Sequence, residues 1–115
     1  MSYPVVNISN STNFNVSGTV SYASIFCSND SYSVTPLTSW QASSRGVCLL
    51  TEVSAIVRTP NGDIVATPYT SSGTSYSQFA IIQTGPTSFE VTRRVSLTEK
   101  EELPADYVEP MEMQK

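Results

Sequence analysis

The sequence predicts a single antiparallel β-sandwich of seven to eight strands, and three observations predict it. The first is the stretch from Trp40 to Arg58. If extended, it puts Val47, Leu49, Thr51, Val53, Ala55 and Val57 on one face and Cys48, Leu50, Glu52, Ser54, Ile56 and Arg58 on the other. The first face is almost wholly apolar or β-branched and the second is mixed, which suits a strand with one side on a core. The second observation is the turn Thr59-Pro-Asn-Gly-Asp63, where Pro presets φ and Asn-Gly tolerates positive φ. The third is composition. Charged residues are only 14% of the chain, and Ser and Thr fill about a quarter of positions, a bias that favours strands and turns over helices.

The remaining elements follow in order. Pro4–Ile8 opens as a short strand, and residues 9–13 form a polar turn. Asn15–Phe26 is a second strand, in which Gly18 marks a bulge or a close neighbour. A turn at 28–31 leads to a short strand, Tyr32–Pro36, whose proline confines it to an edge or a bend. Leu37–Ala42 is a further short strand before the central one at 47–58. The Asn-Gly turn then joins 47–58 to Ile64–Thr67 as a hairpin. Pro68–Ser75 reads as a long polar loop. Tyr76–Gln83 and Ser88–Ser96 are the last two strands. One domain over residues 1–97 accounts for all of these. Residues 98–115 read as a flexible acidic tail, because Pro104, Pro110 and six acids leave too little apolar area to offset chain entropy.

The net charge of −4 resides in that tail. In residues 1–98, Asp30, Glu52, Asp63 and Glu90 balance Arg45, Arg58, Arg93 and Arg94. A neutral, lysine-free body argues against nucleic acid as a partner, since phosphate binding needs clustered cations. No stretch has the apolar length of a transmembrane helix, and the N-terminus lacks signal-peptide character, so a cytoplasmic location is expected, with secretion the minority reading. Cys27 and Cys48 fit either two buried free thiols, expected in a cytosolic chain, or a disulfide between strands in an oxidising compartment. Sequons at Asn7, Asn10, Asn15 and Asn29 lean towards secretion, but such triplets arise by chance in a chain this rich in Ser and Thr.

Little here points to catalysis. The chain has no histidine, which removes the commonest general base and zinc ligand, and no cofactor or metal is expected. Glu52 with Glu90 would suit a glycosidase pair, but nearby arginines make cross-strand ion pairs the plainer reading. Binding is the better question. Trp40 with Arg45 offers either an aromatic platform for a sugar or a lipid headgroup, or simply packing at one end of the sandwich. Tyr69, Ser72, Thr74 and Tyr76 sit on the hydroxyl-rich 69–76 segment, which reads equally as a recognition loop or a connection.

The run Ser17-Gly-Thr-Val-Ser-Tyr22, then Cys27, Asp30, Tyr32 and Pro36, then Trp40-Gln-Ala-Ser-Ser-Arg-Gly-Val-Cys-Leu49, then Ser71-Ser-Gly-Thr-Ser-Tyr-Ser-Gln-Phe79, resembles the PUD domain family. These are small proteins up-regulated in long-lived nematodes, with fungal relatives. The resemblance covers residues 3–96 and implies an aegerolysin-like β-sandwich that is cytosolic, dimerises and has no established enzymatic activity. Aegerolysins as a group bind membrane lipids. No lipid-binding residue carries over, because no motif for one is matched. The expected function is therefore a non-enzymatic module recognising a membrane lipid or a protein partner. The alternatives are a cytosolic lectin that binds a glycan, and a structural or defensive homo- or heterodimer without a small ligand.

Overall fold

A computed structural model describes residues 3–43 and 45–94; the tail expected at 98–115 lies outside them. The described chain is all-β, with ten strands in two packed sheets. They are β1 (Asn7–Asn10), β2 (Asn15–Tyr22), β3 (Asp30–Val34), β4 (Ser39–Gln41), β5 (Leu50–Val53), β6 (Ile56–Thr59), β7 (Gly62–Val65), β8 (Tyr69–Thr74), β9 (Gln78–Gly85) and β10 (Ser88–Arg93). One sheet has the order β10-β9-β1-β4. The other runs β7-β6-β2-β5-β8, with β3 added on β2, and curls into a half-barrel.

The count exceeds seven to eight for two reasons. The stretch 47–58 is not one strand but two, both laid along β2: β6 pairs with Asn15–Ser17 and β5 with Val20–Tyr22. Between them Ser54 presses on β2 at Gly18, where an added Cβ would lie 2.0 Å from the Ser54 carbonyl oxygen. Gly18 therefore answers to a close neighbour, as its place in the strand suggests. Tyr32 Oη donates to that same carbonyl at 2.6 Å, and Ser54 N–H donates to Thr19 O at 3.0 Å. The second reason is residues 68–75, expected as a loop. Tyr69–Thr74 pairs with β5, and a register irregularity opposite Leu50–Glu52 lets Tyr69 and Thr74, at opposite ends of the strand, both be buried.

The expected face also fails at one end. Register shifts where β5 meets β2 and β8 turn Leu50 into the core, and Val47 is exposed because it lies in the turn before β5. From Val53 onward the alternation holds, with Val53, Ala55 and Val57 all buried. The Asn-Gly hairpin forms as read: β6 and β7 pair from Ile56↔Val65 to Thr59↔Gly62, and Gly62 takes φ 122°. Arg58 and Asp63 face each other across it as an ion pair.

Among the described strands, pairing is antiparallel except between β1 and β9, and the isolated bridge Thr67↔Glu90 is also parallel. β1 lies between β4, antiparallel to it, and β9, parallel to it. Inside, Val6, Ile8, Val16, Val20, Leu50, Val53, Val57, Phe79 and Ile81 are wholly buried, with Tyr69 against Phe79 at 4.8 Å between ring centroids. Burying each such side chain contributes roughly 1.5–3 kcal/mol. The two sheets touch along both sides. Thr67 N–H donates to Phe89 O and Val91 N–H to Thr67 O on one side, and Tyr32 packs on Trp40 at 5.5 Å on the other.

Candidate functional site

The residues singled out by the sequence do not form a common surface. Trp40 is half-buried in β4 opposite Ile8, its ring against Tyr32, so the packing reading describes it. Tyr69 and Thr74 belong to the inner face of β8. Tyr76 is buried under Arg93, whose guanidinium carbon stands 3.7 Å from the ring centroid. Tyr69 and Tyr76 are therefore buried rather than offered on a recognition loop: Tyr69 faces the core from the start of β8, and Tyr76 follows that strand. Ser72 is exposed.

Arg45 is the largest departure. An arginine in a Ser-rich turn reads as surface, yet this one is 5% exposed. Its Nε donates to Cys48 O at 2.9 Å. Its Nη1 reaches Pro4 O and Ser75 O at 3.2 Å and Tyr76 O at 3.0 Å, and its Nη2 reaches Thr74 O at 2.5 Å. The planar fork thus gathers main-chain carbonyls from three segments. It is a clamp that fixes the 45–48 turn to the body, aided by Tyr3 N–H donating to Gly46 O at 2.8 Å.

That turn carries one half of a disulfide. Cys48 is bonded to Cys27, with Cα atoms 6.1 Å apart, so the free-thiol expectation gives way to the cross-linked one. Cys27 ends the tip of the β2–β3 hairpin, and that tip holds what the sequence reading missed. Ile25 is 93% exposed and Phe26 91%. Val47, the chain neighbour of Cys48, is 68% exposed. The bond therefore draws together two loops that each show apolar side chains to solvent. No charged residue occurs at 23–29 or 46–51.

A signal for the tip was present. Ile25 and Phe26 are adjacent and both apolar, which a half-buried strand cannot accommodate because neighbours point to opposite faces. The strand stops at Tyr22, where Ala23 N–H donates to Leu49 O at 2.8 Å, and the chain then turns through Ser24–Cys27. Tyr22 donates its phenolic hydrogen to Asp30 at 2.8 Å, closing the base of the hairpin. Burial, and then that carboxylate, push the Tyr22 phenol above its ordinary pKa; burial does the same at Tyr32.

Among the described residues no three His, Cys, Asp or Glu side chains gather as a metal site. Glu52 lies on β5 and Glu90 on β10, in different sheets. Of the four sequon asparagines, Asn10 is sealed in: its amide donates to Phe14 O, Val34 O and Thr35 O, and its oxygen accepts from Thr12. No helix is long and apolar enough to cross a membrane. No protein-family model, no curated protein and no solved structure matches the chain.

Proposed function

We propose that the protein is a non-enzymatic binding module that docks on a membrane surface through the tip of the β2–β3 hairpin. One observation carries this reading: Ile25 and Phe26, both more than nine-tenths exposed, on an uncharged loop cross-linked beside Val47. Monomeric proteins expose single apolar residues freely, but adjacent ones at full exposure on a tip mark an interaction site. The shape argues for a bilayer over a protein. A stable protein interface needs about 800 Å² per partner, far more than a two-residue tip supplies. A bilayer interface accepts individual side chains without a shaped pocket.

Charge sets the kind of membrane. A cation near an anionic leaflet contributes about 1 kcal/mol, and neither loop presents one to solvent, Arg45 being buried. Apolar insertion therefore drives docking, and zwitterionic lipid suffices. The resemblance to lipid-binding aegerolysin-like proteins points the same way. The disulfide supports an oxidising compartment, the secreted one of the two locations weighed from the sequence. The lectin reading has less support, because Tyr69, Thr74 and Tyr76 face inward.

Vesicle sedimentation tests the proposal. The parent should pellet with pure phosphatidylcholine vesicles, and phosphatidylserine or salt should change little. Phe26→Ser forfeits part of a burial of roughly 1.5–3 kcal/mol, so partitioning should drop about tenfold. A parent that stays in the supernatant removes the membrane reading; a glycan-array signal or dimers in light scattering would then favour the alternatives.

A further inference from the structure

We infer that the Cys27–Cys48 bond is a redox-sensitive brace that presents the docking tip, an inference resting on the membrane reading above. The two loops it joins are held very differently. The 45–48 turn is anchored to the body by the Arg45 guanidinium on the carbonyls of Pro4, Thr74, Ser75 and Tyr76 and by Tyr3 N–H on Gly46 O. Among the described residues, the hydrogen bonds of the 24–28 segment are internal: Cys27 N–H to Ser24 O at 3.0 Å and Phe26 N–H to Ser24 Oγ at 3.1 Å. Its ends are tied at Ala23 to Leu49 O, and at Asn29, whose side chain accepts from Tyr22 N–H at 3.4 Å. Among the described residues the disulfide is thus the bond that links this segment to the body between those ends. Anchoring passes from Arg45 to Cys48, across the sulfurs to Cys27, and so to Phe26.

The chemistry of release is disulfide exchange. A dithiol attacks as its thiolate on one sulfur, passes through a mixed disulfide, and leaves oxidised to a ring disulfide. Cys27 and Cys48 take up two electrons and two protons and become thiols. Neither belongs to a strand ladder, so the sheets stay intact while Ile25 and Phe26 lose the placement that the bond gives their loop. An apolar tip that must be ordered on arrival binds more weakly than one already shaped.

Two measurements on the full chain test this, with the parent compared before and after a dithiol reductant and with a Cys27→Ser/Cys48→Ser double variant. Chymotrypsin cutting after Phe26 should accelerate about tenfold on reduction, because the loop opens locally while far-ultraviolet circular dichroism is unchanged. Phosphatidylcholine partitioning should fall at least about fivefold and return on reoxidation. An unaccelerated cut overturns the brace whether or not vesicles are bound. Equal vesicle binding by reduced and oxidised parent also overturns it but leaves docking standing, provided Phe26→Ser still lowers binding. A parent that binds no vesicle in either state overturns docking, and with it the brace as a control on docking.

Discussion

Gly18→Ala is the substitution on which the packing argument can be tested most severely. The new methyl would stand 2.0 Å from Ser54 O and 2.7 Å from Tyr32 Oη, deep inside van der Waals contact. The carbonyl belongs to main chain, so no side-chain rotation relieves it. The junction between β5 and β6 must retreat by more than about 1 Å to restore an ordinary contact. That retreat breaks Ser54 N–H on Thr19 O and Tyr32 Oη on Ser54 O. Two hydrogen bonds left unsatisfied in a buried setting cost about 1–3 kcal/mol each. The gain from replacing a strand glycine is roughly 0.5–1 kcal/mol. The net should be a loss of about 3 kcal/mol, which in a domain of this size lowers Tm by roughly 15 °C. Thermal and urea unfolding by circular dichroism measure it. Gly85→Ala is the control, since its Cβ would meet Ser88 Oγ at 2.6 Å, the end of a side chain that can rotate away. A Gly18→Ala protein within 1 kcal/mol of the parent, or no worse than Gly85→Ala, would refute the reasoning.

Three further outcomes are expected. Arg45→Met should destabilise by about 3 kcal/mol in urea, because it strips donors from buried carbonyls of three segments; Arg45→Lys should rescue little, lacking the planar fork. Leu37 holds φ 59° while exposing its side chain, so Leu37→Gly should be neutral or stabilising by up to about 1 kcal/mol, read as a rise in Tm. Burial raises the Tyr22 and Tyr32 phenols above the ordinary value, so the sign is fixed: their stabilising contribution is complete below about pH 10 and is lost as pH climbs towards the folded values. Absorbance at 295 nm should show both phenols protonated beyond that point, ionising together with unfolding.

How much of this was legible in the chain depends on how local each cause is. Gly18 signalled a bulge or a close neighbour without deciding between them, since the atoms it meets belong to Ser54 and Tyr32. The hairpin at 59–62 was readable because a few adjacent residues dictate it. The break at Ser54–Ala55 was not, since alternation continues through it and only the neighbouring strand shows that two partners share β2. Leu50 was assigned to the wrong side for a related reason: one register shift inverts a period-2 pattern without altering a residue; Val47 was placed in a strand that begins only at Leu50. β8 was hidden by its composition, a run of Ser, Thr and Gly that says turn when only Tyr69 and Thr74 face the core. Arg45 ran against the usual exposure of arginine, and its carbonyl partners come from residues 4, 48 and 74–76, which no short window contains. The tip was the one part of the site with a local signal, the Ile25-Phe26 pair, and the strand reading absorbed it.

The parallel seam between β1 and β9 bears on how the chain reaches this state. Asn7 pairs with Gln78, so β1 waits about seventy positions of synthesis for the neighbour that completes it. β4 offers an earlier partner, and the three-residue match Asn7–Ser9 with Ser39–Gln41 is a thin one. Until β9 arrives, one side of β1 has open hydrogen-bonding groups, the condition in which nascent chains pair with one another. The joining of β9 to β1 is therefore the late, long-range step of assembly, and the one at which pairing between chains competes.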